Sequence, residues 1–63
     1  MSQPRDVEIE ERKIIRKLNQ GRQFLERGKF TKAIECFNYV LESWVGGYYD
    51  EAQKLKDIAL DQL

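Results

Sequence analysis

The sequence predicts an all-α fold, a three-helix antiparallel bundle forming one domain over residues 1–63. Three observations carry that expectation. Apolar residues recur at steps of three and four, the spacing of one face of an α-helix. The single proline and the four glycines divide the chain into three runs that each keep this period. Glu, Lys, Arg and Gln, all poor strand formers, dominate the first run.

Helix one is predicted over about 5–27. Ile14, Leu18, Gly21 and Leu25 step by four, three and four, and Ile15 and Phe24 widen the stripe. Pro4 stands at the start, where its missing N–H costs nothing. Gly28 stands just past the end, where a left-handed residue is wanted. Helix two is predicted over about 31–44, with Thr31 as its N-cap. Its stripe is Ala33, Ile34, Phe37, Val40, Leu41 and Trp44, and Gly46-Gly47 ends it. Helix three is predicted over about 50–63. Asp50 followed three residues later by Gln53 reads as a capping box. Its face is Ala52, Leu55, Ile58, Ala59 and Gln62. The loops are short, so neighbouring helices should run antiparallel.

Length and composition exclude several classes of function. A chain of 63 residues buries only about 60% of the surface its unfolded form exposes. No two-lobed catalytic cleft fits in it. Cys36 is the only cysteine, so no intrachain disulfide forms, and there is no histidine for imidazole ligation or for a histidine-activated nucleophile. No apolar run approaches the roughly 18 residues of a membrane span. The acidic, polar start MSQPRDVEIEER is unlike a secretory signal. Met1 is what a natural start carries. A cytoplasmic location is expected.

Candidate chemistry is equally thin. Cys36, between Glu35 and Phe37, reads as a small apolar residue of helix two. Glu10 and Glu11 are adjacent on a helix and point in different directions. Asp57 and Asp61 share a helix face but lack a third ligand for a metal. Gly46-Gly47 lacks the Lys-Ser/Thr of a phosphate loop. No catalytic residue, metal ligand or cofactor site is expected, no small-molecule substrate, and no enzyme.

Charge is patterned although its sum is zero. Residues 1–11 set Arg5 against four acids, a net of −3. Residues 12–32 set eight bases against Glu26, a net of +7. Residues 33–63 set two lysines against six acids, a net of −4. Glu8 with Arg12 and Glu10 with Lys13 are spaced to pair along helix one. The basic middle is either a solvated face or a surface for an acidic partner, including the acidic part of a second copy.

Residues 21–41 carry a further pattern: Gly21, Phe24, Gly28, Phe30, Ala33, Phe37 and Leu41. This resembles the tetratricopeptide repeat (TPR), a 34-residue helix–turn–helix unit. A plain helical hairpin with coincidental spacing is the alternative. The physics of those positions stands apart from the family. Gly21 costs a helix interior about 1 kcal/mol relative to Ala. Close approach to a small residue such as Ala33 on helix two would offset that. Phe24, Phe30 and Phe37 are wedges to fill the space between helices.

The match is incomplete, since Lys17 stands where the family has a large aromatic and Val45 where it has proline. Gly47, Tyr49, Ala52 and Leu60 faintly repeat the pattern, but Lys56 breaks it. The resemblance therefore implies one repeat plus a C-terminal capping helix. The three-helix microtubule-interacting and trafficking domain shares the layout, but is longer with a longer second loop.

The family's ligand groove falls here on Ile15, Leu18, Arg22, Leu25 and Glu26. The carboxylate clamp of some members is not reproduced, because Leu18 and Arg22 stand at its positions. The resemblance thus implies a mostly apolar partner segment with an acidic group for Arg22; burial of the strip under helix three is the alternative. Trp44, Tyr48 and Tyr49 are candidates for remaining contact surface, with Trp44 also placed to cap the core and one tyrosine expected inside. Val7, Ile9 and Val45 add to that surface. The expected function is a non-catalytic protein-interaction module, a small adaptor or assembly factor. Its partner is another protein or itself as a homo-oligomer, since such repeats rest on neighbours. The alternative is a small nucleic-acid-binding protein using residues 12–32.

Overall fold

The computed structural model describes residues 4–43 and 47–63, with side chains described from residue 9 onward. It is an all-α three-helix bundle: α1 (Pro4–Glu26), α2 (Phe30–Glu42) and α3 (Tyr49–Gln62). No strand occurs among the described residues.

Helix α1 ends as its sequence requires. Gly28 takes φ +78°, a conformation that side chains with a Cβ resist. The Lys29 N–H then donates to the Phe24 carbonyl at 2.8 Å and the Gly28 N–H to the Leu25 carbonyl at 3.1 Å. This pair of bonds is a Schellman motif, which satisfies carbonyls that the helix end would leave bare. It also fixes Lys29, so the chain re-enters a helix at once. The Ala33 N–H donates to the Lys29 carbonyl, making Lys29 the N-cap of α2. Thr31, expected at that cap, lies inside the first turn.

The start of α3 departs from expectation in the same way. Tyr48 is its N-cap, its carbonyl accepting from the Ala52 N–H at 3.0 Å. No side chain caps either α2 or α3. Asp50 is therefore already helical, and the expected Asp50–Gln53 capping box is not made. The Gln53 amide donates instead to the Asp57 carboxylate at 3.1 Å. Asp50 and Glu51 still place negative charge on the first turn of α3, where the helix dipole favours it. Helix α2 ends at Glu42, with the Ser43 hydroxyl and N–H both donating to the Val40 carbonyl.

Helix α2 is the centre of the bundle. It packs along α1 on one side and α3 on the other, while α1 and α3 meet at few points. Lys17 lies near Tyr39, Gly21 against Phe37 and Lys32 near Phe24. One index rises as the other falls, so α1 and α2 are antiparallel. Leu63 lies beside Phe30 and Thr31, which makes α3 antiparallel to α2 as well.

The core is Ile14, Leu18, Ala33, Phe37, Val40 and Ala52, edged by Phe24, Leu25, Leu41, Tyr48 and Leu55. Cys36 and Ala59 are also buried. Ile14, Leu18 and Gly21 of the first stripe and Ala33, Phe37 and Val40 of the second thus face inward, while Ile15, expected to widen the first, is exposed and Trp44 lies outside the described residues. On α3 the stripe is narrower than expected. Ala52 and Ala59 are buried, but Ile58 is 44% exposed and Gln62 is exposed.

Gly21 faces α2 with no room for a side chain. A Cβ there would lie 2.8 and 2.9 Å from the Phe37 ring atoms Cζ and Cδ1. The partner of the small residue is thus an aromatic ring, and not Ala33 as the spacing suggested. Phe37 is wholly buried, and its ring fills the notch that glycine leaves.

Candidate protein-binding surface

The expected groove residues on α1 divide between core and surface. Leu18 is 4% exposed and belongs to the core, so it is closed to a ligand. Its position on the α1 stripe turns it toward α2. Leu25 is half-buried at the core edge. Ile15 is 39% exposed, and Glu26 is exposed.

Arg22 already has an acidic partner. Its guanidinium pairs with the Glu51 carboxylate of α3, so the acid expected from a ligand is supplied within the chain. Both side chains are well exposed. An ion pair in that setting contributes about 0–1 kcal/mol.

Tyr48 and Tyr49 separate as one inside and one outside. Tyr48 packs on the core edge, and its phenol donates to the Glu11 carboxylate at 2.9 Å. That bond favours the neutral phenol and, with desolvation second and the nearby negative charge third, raises its pKa. Tyr49 is 56% exposed. Trp44 and Val45 lie outside the described residues, as does the side chain of Val7.

These contacts define a face shared by α1 and α3. Glu11 and Arg22 both reach the start of α3. Ile15 lies four residues after Glu11 and seven before Arg22, hence on the same side of α1. Ile58 lies seven residues after Glu51, hence on the corresponding side of α3. By helix periodicity the exposed Ile15 and Ile58 share the sides of α1 and α3 that carry Arg22 and Glu51, while half-buried Leu25 and Leu55 pack against the core. Sequence reading missed the contribution of Glu51 and Ile58. The signal is present in the 51–55–58–62 spacing, but Ile58 also falls on the apolar face expected to turn inward.

Away from that face, a concavity of about 370 Å³ lies between α1 and α2. Lys17 is stationed 5.6 Å from the Tyr39 ring centre, and Lys32 is 5.8 Å from that of Phe24. Both distances allow cation–π attraction. Cys36 forms part of the lining and is 7% exposed. Its burial pushes the thiol pKa up, Lys17 pulls it down less, and Glu35 adds a rise. The proton therefore stays on, and the thiol is a poor nucleophile.

Elsewhere on α1, Lys13 pairs with Glu10 at 3.7 Å as its spacing predicted. The side chain of Glu8, the expected partner of Arg12, is not among those described. Arg12, Arg16 and Arg27 are exposed. Among the described residues there is no group of three potential metal ligands, and no helix is long and apolar enough to cross a membrane. Comparison with family models, curated proteins and solved structures gives no match to this chain.

Proposed function

We propose that this protein is a non-catalytic protein-interaction module: a tetratricopeptide-like hairpin closed by a third helix, working in the cytoplasm as a small adaptor or assembly factor. The observation that supports it most is the face shared by α1 and α3. There, exposed Ile15 and Ile58 fall on the sides of α1 and α3 that the Arg22–Glu51 ion pair bridges. Such a surface suits a partner helix or extended segment with apolar side chains at its centre and polar groups at its rim.

The experiment is affinity capture with the wild-type chain and with an I15D/I58D variant, each checked for helicity. Partners held by the wild type and lost by the variant support the reading. An unchanged partner set would count against this face. A second reading, nucleic-acid binding, draws on exposed Arg12, Arg16, Arg27 and Lys29. It requires captured RNA or DNA that leaves steeply as salt rises.

A further inference from the structure

Two exposed strips of opposite charge lie on the helices that flank α2. On α1, Arg12, Arg16 and Gln23 are exposed and follow one another by four and seven residues. On α3, read from its C-terminal end, Asp61, Asp57 and Asp50 are exposed and follow the same spacing. Steps of four and seven return to the same side of a helix, about 6 and 10 Å apart along its axis. Each strip is straight, and the two have equal pitch.

We infer that the protein assembles with itself head to tail, α3 of one copy lying antiparallel on α1 of the next. This deepens the interaction-module reading and rests on it. In that register Arg12 meets Asp61, Arg16 meets Asp57, and the Gln23 amide donates to Asp50. Lys54, the one cation within the acidic strip, falls opposite Asn19 and not opposite an arginine. Antiparallel packing also continues the alternation already present between α1, α2 and α3, and it opposes the helix dipoles.

The occupant is a second copy because the complementary strip is carried by this same chain at the same spacing. A nucleic acid would need only the basic strip, and the acids of α3 would repel it. The strips occupy different flanks of the central helix, so one contact leaves a free strip at each end. Such a contact is heterologous and extends into open chains. Exposed ion pairs are individually weak, so assembly is concentration-dependent and dissolves in salt. The screening length falls from about 30 Å at 0.01 M to about 3 Å at 1 M.

Sedimentation velocity of the full chain across protein concentration and salt tests this. The wild type should show a sedimentation coefficient that rises with concentration at low salt and loses that rise at high salt. R12E/R16E and D57R/D61R, each with wild-type helicity, should each remain monomeric. Mixing them should restore the wild-type behaviour, because each then offers the strip the other lacks. A wild type that stays monomeric at low salt would overturn the inference. So would single variants that associate as well as wild type, or a mixture that stays monomeric. A monomeric wild type whose R12E/R16E-sensitive ligand is a labelled oligonucleotide would assign the basic strip to phosphates instead. If the chain is monomeric yet retains Ile15- and Ile58-dependent partners, the stacking fails while the interaction-module reading stands.

Discussion

The Phe37 ring occupies the volume that a side chain on Gly21 would fill. One residue thus joins α1 to α2 by having no side chain, and the other by having a large one. Gly21→Ala tests the balance directly. Alanine gains about 1 kcal/mol of helix propensity, but overpacking a closed core costs about 1–3 kcal/mol. The ring is fully buried and has little room to give. The expected outcome is a net loss of about 1 kcal/mol in urea unfolding, with Gly21→Leu far worse. Adding Phe37→Leu to Gly21→Ala should give a coupling of at least about 0.5 kcal/mol, because both changes act on one contact. Phe37→Ala alone should cost about 3–5 kcal/mol. At roughly 0.05–0.15 kcal/mol per residue, that is a third or more of what a chain this short has.

Gly28→Ala separates backbone strain from crowding. Nothing lies within 4 Å of a Cβ built at Gly28, yet its φ is +78°. Any loss therefore comes from the left-handed conformation, about 1–2 kcal/mol. Gly28→Asn should lose less, since Asn tolerates that region better. Calorimetric melting of the three proteins checks the order Gly, Asn, Ala.

The first two helices were legible because their burial follows one uninterrupted period. Ile14, Leu18 and Gly21 all turn inward, as do Ala33, Phe37 and Val40. The Gly28 turn was legible too, but the N-caps of α2 and α3 were not. A side-chain N-cap is worth about 1 kcal/mol. The Schellman bonds at Gly28 and the anchoring of Tyr48 by Glu11 decide where α2 and α3 begin. The first is local to residues 24–29, but the Tyr48–Glu11 bond joins two helices, which local spacing does not encode. The surface was half legible for a related reason. Ile15 and Arg22 could be placed on a helix face, but Glu51 meets Arg22 only because α3 starts beside α1.

Tyr48 gives the fold a sensitivity at alkaline pH. Its folded pKa is raised above the ordinary 10.0, chiefly by the bond it donates to Glu11. In the unfolded chain the phenol loses its proton first, so the folded state binds more protons above about pH 10. Stability from this group is fully present below that pH and is lost as pH rises through the folded pKa. Tyr48→Phe should lower stability at neutral pH, where the bond is made, and flatten the decline on the alkaline side. Urea midpoints at neutral and alkaline pH check this. Equal slopes in the two proteins would contradict it.

Cys36 should be slow to react while the chain is folded. It is 7% exposed, and burial raises its thiol pKa above 9.0, so thiolate is scarce near neutrality. Lys17 is the group pulling that pKa down. Lys17→Gln should therefore raise it further and slow alkylation at a fixed alkaline pH, provided unfolding is held equal. Glu35→Gln removes a raising charge and should speed the reaction. Trapping kinetics with a small alkylating agent, compared with the urea-unfolded chain, distinguish the cases. If both variants reacted at the wild-type rate while the unfolded chain reacted faster, burial alone would set the reactivity.

The Arg22–Glu51 pair joins the two helices that otherwise scarcely meet, and its exposure limits what it contributes to stability. A double-mutant cycle with Arg22→Ala and Glu51→Ala should give a coupling of about 0–1 kcal/mol, smaller at high salt because the pair is open to screening. Its larger effect should fall on the geometry of the shared face. Arg22 and Glu51 bridge α1 and α3 on the helix sides that carry Ile15 and Ile58. Breaking the pair should therefore weaken any partner that contacts both isoleucines by more than it weakens the fold. Measuring partner affinity and unfolding free energy on the same four proteins checks this. Equal coupling in the two measurements would mean that the pair contributes only to stability.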